Sequence, residues 1–169
     1  MISAANIIIR PATKNDWPFI IDIYNEGIAN KISTAETKPV TIEGKLEWLK
    51  EHEEDRFPIL IAQENDVVTG WICLSAYRKG RKALQNTAEI SYYIRKHYWE
   101  KEIATQLMEA MMSKAKELGF KNLIAILIDA NNASIALLKK FGFEQWGLMP
   151  GIIEIDDKTY GHSYYGKKL

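Results

Sequence analysis

Residues 87–143 of the chain read TAEISYYIRKHYWEKEIATQLMEAMMSKAKELGFKNLIAILIDANNASIALLKKFGF. The segment opens with a strand-like run, residues 87–94, and from Lys101 its apolar residues recur at helical spacing until Gly119. Residues 123–128 form a continuous apolar run, typical of a central strand covered on both faces. A turn at residues 129–132 then leads into a short helix that Gly142 closes. This strand-helix-strand-helix pattern predicts a ligand site where its strands run into its helices.

The sequence on either side of this segment predicts more strands and two more helices. Residues 57–63 and 67–77 favour a hairpin around a turn at Asn65 and Asp66, with a bulge near Gly70. A helical apolar stripe runs from Trp17 to Ile28, residues 30–40 read as a loop, and a second helix starts near Thr41. Further strands are expected at residues 7–9, 143–149, 152–155 and 159–169, with a break at residues 150–151. Strands that alternate with helices beside a hairpin indicate an α/β fold, an α+β mixed sheet with helices packed on it.

Composition and charge narrow the class of protein. A chain of 169 residues with 47% hydrophobic residues fits one domain spanning residues 1–169. Twenty-two basic and 22 acidic side chains give a formal charge of 0, so no overall charge favours a nucleic acid or an anionic membrane. The sequence shows no signal-peptide pattern and no apolar run of about 18 residues, so a cytoplasmic protein is expected.

The cysteine and histidine content does not predict a metal site. Cys73 is the only cysteine, so it forms no internal disulfide and, alone, no thiolate zinc site. It lies in an apolar run and is expected to be a buried structural thiol. The histidines at positions 52, 97 and 162 are scattered over a helix, a turn and the last strand, without metal-ligand spacing.

Several motifs spread over nearly the whole chain occur together. They are IRPAT at residues 9–13, TAE at 34–36, GW at 70–71, TAEISYYI at 87–94, NNASIAL at 131–137 and FGF at 141–143. With them the chain resembles the GNAT superfamily of acyl-CoA-dependent N-acetyltransferases, and within it the phosphinothricin acetyltransferase branch. The asparagine-to-serine spacing ahead of the Gly-Phe pair is the most specific part. The resemblance implies a mixed sheet of about seven strands with about four helices.

The resemblance also implies a reaction and a co-substrate. The acetyl group of acetyl-CoA would move directly to the primary amine of a small molecule, an amino acid or an analogue, within a ternary complex. The main chain of Tyr92, Tyr93 and Ile94 would donate an N–H group to the thioester oxygen. Glu89 matches the position of the branch's proposed base. Without the resemblance Glu89 reads as an ordinary strand residue paired with a basic side chain, and both readings stay open.

Further site residues follow from the same resemblance. Asn131 and Ser134 match CoA contacts ahead of the last helix, although both residue types are also common helix caps. Thr34 and Glu36 would line the substrate pocket, where Glu36 would favour an ammonium group. The basic loop at residues 78–82 would attract an anionic substrate or cofactor through Arg78 and Arg81, unless it is simply solvated. The related branch also implies a homodimer.

One segment departs from the family pattern. The CoA pyrophosphate turn and the first turn of the third helix match residues 99–105, with Trp99, Lys101, Glu102, Ile103, Ala104 and Thr105 as cofactor contacts. Only Ala104 fits the usual glycine-rich consensus, and Glu100 and Glu102 stand at positions that are frequently glycine. A carboxylate about 7 Å from a phosphate would repel it by about 2 kcal/mol at an effective dielectric of about 20. This repulsion is expected to weaken binding by about tenfold or more, unless Lys101, Lys139 or Lys140 compensates.

A second departure concerns the leaving thiolate. The family often places a tyrosine, or in this branch a histidine, where this chain has Leu138, which cannot donate a proton. Tyr164 is the candidate replacement, with Tyr93 or solvent as alternatives. These departures motivate a rival hypothesis, a non-catalytic binding or sensing protein on the same fold. Nucleic-acid binding through residues 78–82 is a third hypothesis, which the balanced charge disfavours.

Overall fold

The computed structural model describes residues 6–169, which build one mixed sheet. Its seven strands lie in the order β1-β2-β3-β4-β5-β7-β6. The strands are β1 (Ile7–Pro11), β2 (Ile59–Glu64), β3 (Val67–Ala76), β4 (Thr87–Ile94), β5 (Asn122–Ile128), β6 (Glu144–Ile155) and β7 (Lys158–Lys168). The helices are α1 (Trp17–Ala29), α2 (Leu46–Glu51), α3 (Ile103–Glu117) and α4 (Asn132–Lys140). The predicted strand-helix-strand-helix unit is therefore β4-α3-β5-α4.

The predicted hairpin is formed by β2 and β3, and it contains a bulge. Ala62 pairs with Gly70 and Gln63 pairs with Val68, so Thr69 is the extra residue, next to the predicted position. The absence of a side chain at Gly70 lets β4 approach closely. A Cβ added there would lie 3.0 Å from the Tyr93 carbonyl oxygen and 2.6 Å from Cδ1 of Ile94.

The sheet carries a separate apolar core on each face. One core packs α3 and α4 against β2, β3, β4 and β5, with residues such as Ile90, Met108 and Leu138 fully or almost fully buried. The other packs α1 and α2 against the opposite face, around Ile20, Leu49 and Trp71. The alternation of side chains along β3 and β4 therefore sends odd-numbered residues to the α1 and α2 face.

β4 and β5 separate part-way along their length. They pair in parallel at Thr87, Ala88 and Glu89 only, after which no pairing joins them. β5 continues to pair with β7 up to Ile128. The second half of β4 therefore keeps one neighbour, β3, and borders an open gap on its other side. Residues 91–94 therefore diverge from β5.

Three element boundaries differ from the prediction. The second helix, expected to start near Thr41, begins as α2 at Leu46, after a short 3-10 turn at Glu43–Lys45. Helix α3 begins at Ile103 rather than near Lys101, because Glu100 and Glu102 adopt left-handed backbone angles that a right-handed helix excludes. β6 runs unbroken through Pro150 and Gly151, where a break was expected. Its pairing with β7 is instead irregular between Met149 and Ile153, so the strand bends without ending. In residues 6–169 no helix has both the length and the apolar character needed to cross a membrane.

Candidate active site

The gap between β4 and β5 exposes main-chain donors. Leu74 donates its N–H to Pro58 at 3.2 Å, so the N–H of its neighbour Cys73 faces β4, where its partner is Ser91. Successive residues of a strand turn their N–H groups to opposite sides. The N–H groups of Tyr92 and Ile94 therefore point into the gap. This arrangement offers donors to an oxygen that gains negative charge there.

A cavity of about 450 Å³ opens beside this gap, on the α1 and α2 side of the sheet. Its floor consists of paired odd-numbered residues of β3 and β4: Trp71 with Tyr93, Cys73 with Ser91, and Ser75 with Glu89. The other walls come from α1, from the loop and turn that follow it, from α2, from the end of β5 and from β7. They include Tyr24, Thr34, Lys45, Trp48, Ile128 and His162. The size suits a small molecule.

Glu89 presents an unpaired carboxylate to this cavity. Within residues 6–169 its side chain forms neither a hydrogen bond nor an ion pair, so the paired structural reading does not describe it. Burial raises the pKa of Glu89 above its ordinary value, because the charged form loses hydration without gaining a partner. A carboxylate with a raised pKa is better matched to accepting a proton near neutral pH.

Two neighbours of Glu89 on the cavity floor, Cys73 and Tyr93, stay protonated and uncharged at neutral pH. Burial raises the pKa of the Cys73 thiol to about 12, so it stays protonated, as expected for a structural thiol. Burial also raises the pKa of Tyr93, whose ring packs edge-on against Tyr24 with centroids 5.0 Å apart. Both groups shape the cavity as neutral walls.

His162 faces the same cavity from β7, across the gap from β4. Burial lowers its pKa below the ordinary value, so the imidazole is neutral at pH 7. Its ring lies 5.4 Å from the ring of Tyr164, centroid to centroid. Tyr164, the predicted proton donor, does not itself line the cavity.

The loop after α1 places its charges differently from the prediction. Thr34 lines the cavity as expected, and its hydroxyl lies 3.1 Å from the Tyr24 hydroxyl. Glu36 does not line it. Glu36 instead pairs with Lys45 at 3.6 Å and lines a smaller neighbouring cavity of about 240 Å³. The charged side chain that lines the main cavity from this side is therefore Lys45 and not Glu36.

The basic loop lies outside the cavity. Arg78 and Arg81 are exposed and absent from its walls, and Lys79 pairs with Glu51 on α2. Arg78 and Arg81, which were predicted to contact the substrate, therefore do not line this cavity. The solvated reading describes this loop.

The turn before α3 keeps a glycine-like shape without glycine. Glu100 and Glu102 have φ angles of 67° and 59°, in the left-handed region that glycine adopts at no steric cost. The first α-helical hydrogen bond runs from the Gln106 N–H to the Glu102 oxygen at 3.1 Å. The N–H groups of the first helical turn, at Ile103, Ala104 and Thr105, are therefore free of α-helical partners, as an anion site requires.

Lys140 compensates part of the negative charge at this turn. Its ammonium lies 3.7 Å from the Glu102 carboxylate and 3.4 Å from the Thr105 hydroxyl. Lys101 turns toward the ring of Tyr98, at 4.7 Å from the centroid. Trp99 is 44% exposed and donates its indole N–H to the Ile94 oxygen at 3.0 Å. The C-terminus of α4 therefore supplies a cation to the N-terminus of α3.

The second junction is built around the cap of α4. The Asn131 side-chain oxygen accepts the Ser134 N–H at 3.2 Å, which is the helix-cap role. The Tyr92 hydroxyl reaches across the gap to the Ser134 carbonyl oxygen at 3.5 Å. Burial raises the pKa of Tyr92 to about 12, so this hydroxyl remains a donor. Both predicted strand-to-helix junctions therefore open on the same gap, one on each side.

The family model described as Acetyltransferase (GNAT) domain matches residues 6–144. The chain belongs to the GNAT acetyltransferase family. YwnH of Bacillus subtilis, provisionally named a phosphinothricin acetyltransferase, is 38% identical over 95% of this chain and 98% of its own length. An L-methionine sulfoximine/L-methionine sulfone acetyltransferase of Pseudomonas aeruginosa is 30% identical over 85% of this chain and 84% of its own.

Solved structures agree with this assignment. A GNAT superfamily phosphinothricin acetyltransferase from Sinorhizobium meliloti, in complex with acetyl-CoA, superposes with a TM-score of 0.91. It is 27% identical, and the match covers 96% of this chain and 88% of that one. This GNAT protein is therefore an acetyl-CoA-dependent N-acetyltransferase, and the non-catalytic alternative is not favoured.

Two groups in the cavity of this GNAT enzyme were not predicted from the sequence. In the sequence, Lys45 is one lysine among many, and His162 is an isolated histidine of the last strand. Strand alternation could have placed His162 on one face with Tyr164, but nothing local indicates that this face borders the substrate. Within residues 6–169, no group of three or more His, Cys, Asp or Glu side chains is placed to hold a metal ion.

Proposed function

We propose that the enzyme acetylates the α-amine of an amino acid or a close analogue by direct transfer from acetyl-CoA, with Glu89 as the proton acceptor. The observation that carries this proposal is the unpaired Glu89 carboxylate on the wall of a small-molecule cavity. That cavity adjoins the gap into which the N–H groups of Tyr92 and Ile94 point. A base, an oxyanion site and a substrate pocket therefore adjoin one another.

The proposed step balances as follows. The substrate ammonium gives one proton to Glu89, which passes it to solvent, and the neutral amine attacks the thioester carbonyl carbon. The carbonyl oxygen becomes negative and accepts hydrogen bonds from the main chain of β4. The intermediate collapses as the carbon–sulfur bond breaks with its electron pair on sulfur. The nitrogen loses its second proton and the sulfur gains one, which yields the N-acetyl product and CoA thiol.

The thiolate does not need a strong acid in this scheme. A thiol with a pKa of about 8.5 is a tolerable leaving group in water. Tyr164 remains the proposed donor within the chain, supported by its position beside His162, and solvent is the alternative. The buried Leu138, 1% exposed, belongs to the core and plays no part in proton transfer.

The proposed cofactor contacts follow the two junctions. The main chain of residues 102–105 would hold the pyrophosphate, with Lys140 and Lys101 nearby as cations. Asn131 and Ser134 would contact the pantetheine arm, and the cap bond leaves the Asn131 amide NH₂ free for such a contact. The names of the relatives support an amino-acid substrate, because methionine sulfoximine and methionine sulfone are amino-acid analogues.

The purified enzyme is expected to acetylate one or more members of a panel of amino acids and their sulfoximine, sulfone and phosphinate analogues. Product formation is measured by mass spectrometry, and CoA release by thiol titration. N-methylated members of the panel are the controls, since they test the requirement for a primary amine. If saturating acetyl-CoA gave no N-acetyl product from any member, the proposal would be wrong.

A homodimer is also proposed, and an apolar surface on the edge strand supports it. β6 is the last strand of the sheet and 12 residues long, and long exposed edges favour pairing with another chain. Trp146, Leu148, Met149 and Ile152 are 45%, 48%, 47% and 56% exposed on it. Such a cluster is more often an interface than a free surface.

Ile152→Glu is expected to shift the enzyme from dimer to monomer, because it places a charge within the apolar surface of β6. Sedimentation velocity at several protein concentrations measures the change. Ile8→Glu is the matched control, since Ile8 is 50% exposed on β1 at the opposite edge of the sheet. A wild-type protein that sediments as a monomer at micromolar concentration would contradict the dimer.

A further inference from the structure

The cavity wall carries the anionic side chain of Glu89 and one positively charged side chain. Within the described chain, Lys45 is the only lysine or arginine on the cavity wall. Its side chain is 32% exposed, and its ammonium lies 5.9 Å from the centroid of the Tyr24 ring. The ammonium is therefore held at the rim by contacts that leave it free to reach a ligand.

The partner of Lys45 within the protein is replaceable. Glu36 lies 3.6 Å from the Lys45 ammonium, longer than a charge-assisted hydrogen bond, and its carboxylate is 40% exposed. An exposed ion pair of this kind contributes little to stability. A ligand anion in the cavity can therefore take over Lys45 at low cost, while Glu36 turns to water.

The charges of the cavity match those of a free amino acid. The reacting amine must lie near Glu89 and the N–H groups of β4, which fixes one end of the substrate. The other charged group of an α-amino acid is its carboxylate, which needs a cation. Lys45 lines the cavity from the turn leading into α2, an element separate from β4 and Glu89. A zwitterion would thus place each of its charges beside an opposite charge.

We infer that Lys45 binds the carboxylate of the substrate and selects free amino acids over their neutral amides, with Glu36 as an internal competitor for the same ammonium. The inference rests on the proposed acetylation of an amino acid. It assigns the anionic end of the substrate to the turn before α2, and it reverses the role expected for Glu36. Glu36 acts on the substrate only through Lys45.

The test compares the best amino-acid substrate with its carboxamide in wild type and variants. In Lys45→Met, which keeps the apolar stem, kcat/KM for the acid is expected to fall about tenfold to 100-fold, mainly through KM. For the carboxamide, which has no carboxylate for Lys45 to bind, kcat/KM should change by less than about threefold. Lys45→Arg should restore most of the activity on the acid. Glu36→Gln should raise kcat/KM for the acid by about twofold to fivefold, because it removes the competing anion.

Other outcomes overturn the inference. An equal loss on acid and carboxamide in Lys45→Met would show that Lys45 only supports the cavity wall. An unchanged kcat/KM for the acid in Lys45→Met would show that the substrate carboxylate binds elsewhere. In both cases the wild type still acetylates the amine, so the proposed function stands. If the wild type acetylated neither compound nor any member of the amine panel, the proposed function would fall, and this inference with it.

Discussion

Glu89→Gln is expected to lower kcat by about 100-fold or more, the usual contribution of a positioned general base. Glutamine keeps the shape of the side chain and removes only the ability to accept a proton. The affinity for acetyl-CoA should not change, because Glu89 lies on the α1 and α2 face of the sheet, whereas residues 102–105 lie at the start of α3. Steady-state kinetics and acetyl-CoA titration on the same preparation measure both effects.

The pH profile of the wild type should carry the same signature. Since burial raises the pKa of Glu89, kcat/KM should fall as the pH drops through a value above that of an ordinary glutamate. The other titratable groups on the cavity wall are Lys45, Tyr24, Tyr93, Cys73 and His162. Burial lowers the pKa of His162 toward the acid range, so His162→Gln is the control that should leave this limb in place.

The Tm of Glu89→Gln separates the loss of a catalytic base from a loss of folded protein. A folded-state pKa raised above the unfolded one means that the protonated form is favoured in the fold, so this contribution is lost as the pH rises through the raised pKa. At neutral pH the charged Glu89 is therefore a cost to the fold, and Glu89→Gln should keep or raise Tm. A variant with lower Tm and unchanged kcat would contradict both the base role and its physical origin.

The second large effect is expected at the turn before α3. The double variant Glu100→Gly, Glu102→Gly should lower the Kd for acetyl-CoA about tenfold or more, because it removes two carboxylates from the turn proposed to hold the pyrophosphate. No backbone rearrangement is needed, since both positions already have left-handed angles. That conformation costs a residue with a Cβ about 1–2 kcal/mol, so glycine should not lower Tm despite its flexibility. Isothermal titration calorimetry measures the affinity.

A matched variant separates charge from shape. Glu100→Gln, Glu102→Gln removes the carboxylates but keeps both Cβ atoms, so it should recover only the electrostatic part of the gain. That part should shrink at high salt, because screening weakens interactions between exposed charges. Lys140→Ala should weaken binding in the wild type, since its ammonium offsets the charge of Glu102 at 3.7 Å. Equal affinity in all these variants would show that the pyrophosphate does not lie on this turn.

Much of the fold was predictable because its signals are local. The β4-α3-β5-α4 unit follows from a helical apolar stripe and one continuous apolar run, and the hairpin follows from its turn and a glycine beside the bulge. The break expected in β6 was wrong because Pro150 lies in an edge strand, where a missing N–H costs no ladder bond.

The sequence predicted only those features of the candidate site that depend on neighbouring residues of the same strand or helix. The motif around Glu89 and the cap at Asn131 were readable because each depends on neighbours in sequence. The substrate contacts were not. The sequence gives no sign that Glu36 pairs with Lys45, nine positions later, and it left open whether Arg78 and Arg81 reach the substrate or stay in solvent.

By itself, then, the amino-acid sequence determined the family and the sheet unit, and it pointed to Glu89 as the proposed base, since hydrophobic period and motif spacing act over a few residues. Tertiary structure alone decided which titratable groups meet in the cavity, because Lys45, Glu89 and His162 come from separate elements and converge only after the sheet has formed. It also decided the shape of the turn at Glu100 and Glu102. Local preference disfavours left-handed angles at glutamate, so the sequence does not predict them, whereas in the folded chain they directly precede Ile103, the buried first residue of α3.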